Sequence, residues 1–242
     1  MSMADILGMA TYVDGVGDVH PIKVKDWDLF EKNANVLLLT KNHLPLNIEE
    51  DIPLLDRIVI GIRDEELVDS LCTIFNLVLK SNDFRIDTDG KDYFFINENN
   101  QIITNKTYEE LRRVILRQNI IFEPKVYKDK LLQQWAEKVL EHRNKEAANI
   151  TMEDMITTIA VLSGKHYWDI AEYTIYQLKS EFQRINKIKQ YETTSILYAN
   201  PYAAADVKLE HFAECLELYV DPYKGVFKST EGSNISKAFK AD

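Results

Sequence analysis

Three places in this chain have residue types and spacings that could do chemistry: a Gly164-Lys165 pair, two His-x-x-carboxylate spacings, and an acidic stretch at 87–98. Each implies a defined ligand, and each fails at a position which that ligand requires. A phosphate loop needs a glycine five before the Gly-Lys pair, a Ser or Thr after the lysine, and a strand feeding a helix N-terminus. Here His166 follows Lys165 and the preceding segment has helical periodicity, so Gly164 reads as a helix stop. Gly15-x-Gly17 begins a dinucleotide fingerprint, but His20 stands where the third glycine belongs and Pro21 follows, which favours a hairpin turn. In 87–98, Asp87, Asp89 and Glu98 match offsets one, three and twelve of a calcium loop, yet Asp92 occupies the offset that demands glycine and Lys91 a ligand offset. A second hairpin turn is expected there. His166-x-x-Asp169 and His211-x-x-Glu214 each place two ligands on one helical face, too few for a metal site, and the chain has neither His-Glu-x-x-His nor Cys-x-x-Cys. The acidic runs Glu49-Glu50-Asp51 and Asp64-Glu65-Glu66 suit helix first turns, where negative charge meets the positive end of the dipole. No nucleophile, base and oxyanion donor assemble. The expectation is a non-enzymatic protein with no nucleotide, metal or other cofactor.

The elements that position these residues follow from periodicity. At 242 residues, 45% hydrophobic and 28% charged, the chain is globular and long enough for one large core or two modest ones. A net charge of −10, concentrated in residues 1–121, argues against nucleic acid as a partner. No run approaches the roughly 18 apolar residues of a membrane span, and the N-terminus lacks the pattern of a secretion signal. These features predict a soluble, intracellular protein without a membrane partner. Cys72 and Cys215 sit in amphipathic stretches and read as buried free thiols.

Residues 10–24 read as two short strands around a glycine turn. Trp27, Phe30, Ala34, Leu37 and Leu38 recur at helical spacing after Asp26, a candidate N-cap, and "NHLPLNIEEDIP" breaks that helix. Leu67, Leu71, Ile74, Phe75 and Val78 make a second stripe. Residues 83–104 alternate aromatic and β-branched with polar residues around Asp-Gly and Asn-Asn turns, predicting an antiparallel meander. Thr107 and Glu110 form a candidate capping box for the helix that follows. From about 125 the pattern is helical. Leu131, Leu132, Trp135 and Val139 form one stripe, and Met152, Met155, Ile156 and Ile159 another, opened by Thr151-x-x-Asp154. Thr174 caps a long helix with buried face Ile175, Leu178, Phe182, Ile185 and Ile188 and an opposite face Gln177, Glu181, Arg184 and Lys187. "NPYAAAD" breaks it, and a short helix through Leu209, Phe212 and Leu216 is expected next. The fold class is therefore α+β, mostly α. An α+β part spans 1–123 with a small antiparallel sheet near 83–104, an all-helical module spans 124–228, and a mobile tail spans 229–242.

The helical module holds more aromatics than its stripes require, among them Trp168, Tyr173, Tyr176, Tyr191, Tyr198, Tyr202, Tyr219 and Tyr223. Tyr and Trp give large contact area with few rotors, which suits protein interfaces. Trp168, Tyr173, Tyr176, Tyr198 and Tyr202 are the candidate partner-binding residues. Tyr176 is the most informative, because it lies off the Ile175–Leu178–Phe182 face.

The order of a Thr-capped helix, Gly164, a bend with Trp168-Asp169-Ile170, and "YTIYQLKSEFQRINKIKQYE" resembles the C-terminal part of tail assembly chaperones of tailed bacteriophages. Those carry a helix, a glycine and a Met/Tyr-Thr-hydrophobic-x-x-Leu start of a long helix. Here that start is Tyr173-Thr174-Ile175-Tyr176-Gln177-Leu178. "VHPIKVKDWDLFEKNANVLLLTKNHL", residues 19–44, resembles the opening of large-phage proteins of this type, whereas 45–123 has no counterpart in the resemblance. The resemblance implies a cytoplasmic assembly factor of the infected host that shields a helical, aggregation-prone protein client, such as the tape-measure protein or a baseplate protein. Its surplus aromatics would accept an amphipathic helix. Two alternatives stay open: a structural virion or baseplate component using the same face, and a regulator or enzyme whose site is scattered in sequence.

Overall fold

A computed structural model describes residues 3–40, 52–62, 65–123, 125, 127, 130–146, 150–200, 202 and 208–219. It is mostly helical with small antiparallel sheets in the N-terminal half, as the sequence implies. A short helix α1 (Met3–Leu7) precedes the hairpin β1 (Thr11–Val13) and β2 (Gly17–Val19), with Thr11 opposite Val19. Helix α2 (Trp27–Asn33) continues into a 3-10 turn, Ala34–Leu38. Helices α3 (Leu54–Ile62) and α4 (Glu65–Leu79) follow, then the meander β3 (Arg85–Thr88), β4 (Tyr93–Ile96) and β5 (Ile102–Ile103). Arg85 pairs with Ile96 and Phe95 with Ile103, so the expected meander is present. The turn that mimics a calcium loop is a hairpin connection. The Asp89 carboxylate accepts from the backbone N–H groups of Lys91 and Asp92, both at 2.8 Å.

Helix α5 (Asn105–Gln118) opens one turn earlier than expected. Thr104 is its N-cap, and the Thr107 hydroxyl accepts from Thr104 N at 3.0 Å, so Thr107 serves as the third helical residue of the box and Glu110 has no part in it. Phe75 is the centre of the core, with ring centroids 5.1 Å from Phe95, 5.9 Å from Phe84 and 6.4 Å from Tyr108. These edge-to-face contacts join α4 to the meander and to α5. Arg112 is buried, and its Nε donates to Leu37 O at 2.5 Å, satisfying a carbonyl that the 3-10 turn leaves free.

Helix α6 is Lys130–Glu146, α7 Met152–Ser163, α8 Tyr167–Ala171 and α9 Ile175–Tyr198. By contacts the chain divides at 121/122, and the first part resumes at Ile150. One compact unit joins Met1–Ile121 with Ile150–Tyr219, and a second has α6 as its described element. The reason is a short antiparallel junction between residues 22–24 and 173–175. Val24 N donates to Tyr173 O at 2.8 Å, Ile175 N donates to Ile22 O at 3.2 Å, and Ile175 enters the same apolar core as Phe30 and Phe75. Side-chain amides at the end of α5 hold this junction in place. Gln118 Nε2 donates to Thr11 Oγ1 and Val19 O, both at 3.0 Å, and Asn119 Oδ1 accepts from Ile22 N at 3.2 Å.

The expected short helix through Leu209, Phe212 and Leu216 is absent. Residues 208–219 form an extended strap with a turn at 212–214. Its Leu216 and Leu218 are buried while Glu217 and Tyr219 are exposed, an alternation of two that a helix cannot produce. Cys215 is accordingly exposed, not buried. Cys72 is half-buried in α4, and burial together with the Asp69 charge pushes its thiol up to about 11. The 229–242 tail, Tyr223 and Glu49-Glu50-Asp51 lie outside the described residues.

Candidate partner-binding surface

The bend from 163 to 186 is built from two capping devices. Gly164 ends α7 at φ 70°, its N–H donating to Ala160 O at 3.0 Å. A Cβ here would meet nothing within 4 Å, so the glycine is required by conformation and not by space. Thr174 restarts the chain as α9. Its Oγ1 accepts from Gln177 N at 3.2 Å, and Gln177 Oε1 accepts from Thr174 N at 2.8 Å, a reciprocal box. Between them α8 buries Ile170 against Ile159, Leu178 and Phe182, a second small apolar cluster. Each such burial stabilises by about 1.5–3 kcal/mol relative to exposure.

Three ion pairs, centred on Glu172 and Lys165, fix the bend. Glu172 accepts from Lys23 Nζ and Lys25 Nζ, each at 2.5 Å. The Lys23 bond, then the Lys25 bond, hold its carboxyl down at about 2. Lys165 Nζ reaches both Glu181 carboxylate oxygens at 2.7 Å and the Tyr173 hydroxyl at 2.5 Å, and lies 5.1 Å from the Tyr173 ring centre. Burial opposes charge on Lys165, but the Glu181 and Tyr173 bonds outweigh it and hold its pKa above the ordinary lysine value. The Gly-Lys pair is thus a helix stop followed by an ion-pair anchor.

Because the Glu172 pKa is depressed, the carboxylate's contribution to stability is complete above about 4.5, its ordinary value, and is lost as pH falls from there toward 2. Glu172→Gln is therefore expected to lower the urea midpoint at pH 7 and to leave it unchanged near pH 2. The side chain is half-exposed, so the pH 7 difference should be small and shrink further in 1 M salt. A constant difference across the pH range would contradict the ion-pair account.

What remains outward on this bend is apolar. Trp168 is 85% exposed and Val161 77%, with Tyr167 and Leu162 also exposed. The four flank the Gly164 turn at the α7–α8 corner. Of the five candidate residues, Trp168 is presented as an interface anchor would be. Tyr173 is half-buried with its hydroxyl bound to Lys165. Tyr176 corrects the sequence expectation: it is 6% exposed, buried because α9 has neighbours on more than its Leu178–Phe182 side. It lines a cavity of about 240 Å³ with Asp5, Arg117 and strap residues Glu217, Leu218 and Tyr219. Tyr198 and Tyr202 are exposed, but Tyr198 ends α9, about 34 Å along the helix axis from Ile175. They do not join Trp168 in one patch. Sequence reasoning missed Val161, Leu162 and Tyr167. The signal was available for Val161, which falls opposite the Met155–Ile156–Ile159 stripe, whereas Leu162 keeps stripe spacing, three after Ile159, and is nevertheless exposed.

Among the described residues no three His, Cys, Asp or Glu side chains come together as a metal site, and no helix is long and apolar enough to cross a membrane. A family model described as the YomV second domain matches residues 143–217, the stretch from the end of α6 through α9 to the strap. The chain is similar to a prophage protein. That relative is the SPbeta prophage-derived uncharacterized protein YomV of Bacillus subtilis (strain 168), 27% identical over 214 residues, covering 84% of each chain. No solved structure matches. The similarity therefore reaches beyond the matched domain into the part of the chain that precedes it.

Proposed function

We propose that this protein is a non-enzymatic assembly factor of a tailed phage, a tail assembly chaperone acting in the host cytoplasm. Its α7–α8 corner holds an amphipathic helix of a client such as the tape-measure protein or a baseplate protein. The observation that supports this is Trp168, almost fully exposed beside Tyr167, Val161 and Leu162 on a bend that capping boxes and ion pairs hold rigid. A rigid aromatic anchor loses little entropy on binding, so its burial by a partner is retained as affinity. The prophage relative and the resemblance at Tyr173–Leu178 agree with a phage setting. Long helical clients rich in apolar residues need such a surface until they assemble.

Co-expression with the tape-measure protein of the same phage is the test. The client should move from the pellet to the soluble fraction and co-purify with this chain, and purified virions should lack the chain by mass spectrometry. Recovery of the chain from virions in stoichiometric amount would make it a structural component and overturn the chaperone assignment.

A further inference from the structure

The strap at 208–219 lies along the face of α9 that sequence periodicity assigns to solvent. It runs antiparallel to the helix. Glu210 pairs with Lys187 at 3.1 Å, the Arg184 guanidinium donates to the carbonyls of Phe212 and Glu214, and Leu218 reaches the cavity beside Tyr176. Tyr191 packs edge-on against Phe212, with centroids 5.4 Å apart. Two features distinguish this from ordinary chain packing. First, the strap's backbone–backbone bond Glu214 N to His211 O is internal, and the bonds that tie the strap to α9 run through the side chains of Arg184, Lys187 and Glu210. Elements held that way open at low free energy. Second, Arg184 grips main-chain carbonyls, which every peptide has, and sequence selection falls to leucines two apart and to charge.

The channel and the strap are electrostatically matched. Arg184, Lys187 and Arg117 line one side, while the strap carries Glu210, Glu214 and Glu217 against a single lysine, Lys208. The carboxylates on the channel side are already paired: Glu181 with Lys165, and Asp5 with Arg117 at 3.7 Å. The channel also continues past Arg184 into a groove of about 460 Å³ lined by Ile6, Tyr173, Gln177, Ser180 and Glu181. We propose that this face of α9 is a peptide-binding channel for an extended, acidic segment of a partner protein with leucines at alternate positions, and that the strap is its displaceable intramolecular ligand. The proposal uses residues other than the aromatic corner and stands whether or not that corner binds a client helix.

The test uses a fluorescein-labelled synthetic peptide with the sequence of residues 208–219 and full-length protein. Wild type, its channel occupied, should bind weakly. L216D/L218D, with the strap expelled, should bind at least about tenfold more tightly, and adding Arg184→Ala should remove about tenfold of that gain. A peptide with Glu210, Glu214 and Glu217 changed to Gln should bind more weakly, and affinity should fall with salt. Equal binding by wild type and L216D/L218D, or no binding by a folded L216D/L218D, would overturn the proposal. A second variant replaces 208–219 by a Gly-Ser stretch of equal length. If neither variant folds by circular dichroism, the strap is an integral part of the core and the proposal fails. A wild-type dimer that the peptide dissolves would assign the channel to a second copy of the chain and overturn the partner assignment.

Discussion

Tyr176→Ala is expected to destabilise the protein by roughly 2–4 kcal/mol, as truncation of a buried aromatic does when its surroundings relax only in part. The side chain is 6% exposed, and its neighbours come from three separate places in sequence: α1 through Asp5, the end of α5 through Arg117, and the strap through Leu218. No single neighbour can move to fill the space. Burial, then the Asp5 and Cys215 charges, also raise its hydroxyl pKa above the ordinary tyrosine value. Urea denaturation should show a lower midpoint, and an unchanged slope would place the loss in the native state. A midpoint within error of wild type would mean that the strap and α1 do not cover Tyr176 in solution. Binding per folded molecule at the α7–α8 corner should be unaffected, since Tyr176 is not part of that surface.

Periodicity placed Tyr176 in solvent because it finds one apolar stripe, and α9 is contacted on more than one side. The second side is lined by polar residues whose partners are remote: Gln177 donates to Ile6 O, Glu181 binds Lys165, and Arg184 binds strap carbonyls. Nothing local in "YTIYQLKSEFQRIN" announces those partners, so the face reads as solvated. Gly8 belongs to the same tertiary contact. At φ +65° it would place a Cβ 3.0 Å from Thr174 Cγ2, a close approach between α1 and the α9 cap.

The features that sequence made legible are those whose physics is local. Gly164 as a left-handed stop, the Thr151-x-x-Asp154 helix start, the Thr174 cap, and the hairpins at 11–19 and 85–96 all rest on contacts within a few residues. The shift of the α5 cap from Thr107 to Thr104 is a contest between two identical side chains one turn apart. Thr104, at ψ 173°, adopts the extended geometry of an N-cap. The strap failed for a different reason. Leu209, Phe212 and Leu216 satisfy helical spacing, but Leu216 and Leu218 also satisfy a spacing of two, and the basic residues along α9 favour the extended alternative. Trp168, a candidate anchor from its type and setting, is exposed, whereas the burial of Tyr176 and the exposure of Leu162 and Tyr167 depended on which side of each helix the rest of the chain covers.

Trp168→Ala should leave folding nearly intact and remove much of the client affinity. With 85% of the residue already in water, truncation gives up little native burial, and the expected stability change lies within about 0.5 kcal/mol. The fold beneath does not depend on it: Ile170, two residues on and on the opposite side of α8, carries the contact to Ile159 and Leu178, and Glu172 holds the bend to Lys23 and Lys25. In a complex the same side chain would become the largest apolar group buried at the corner. Losing such an anchor costs about 2 kcal/mol or more, roughly a thirtyfold rise in Kd. The measurement is a titration of an amphipathic helical segment of the tape-measure protein into wild type and Trp168→Ala, paired with thermal melts of both. Trp168→Phe should recover part of the affinity, because an aromatic surface survives, whereas Trp168→Ser should not. Unchanged affinity in a folded Trp168→Ala protein would remove the corner from the client-binding surface and leave the strap channel of α9 to account for any partner the protein holds.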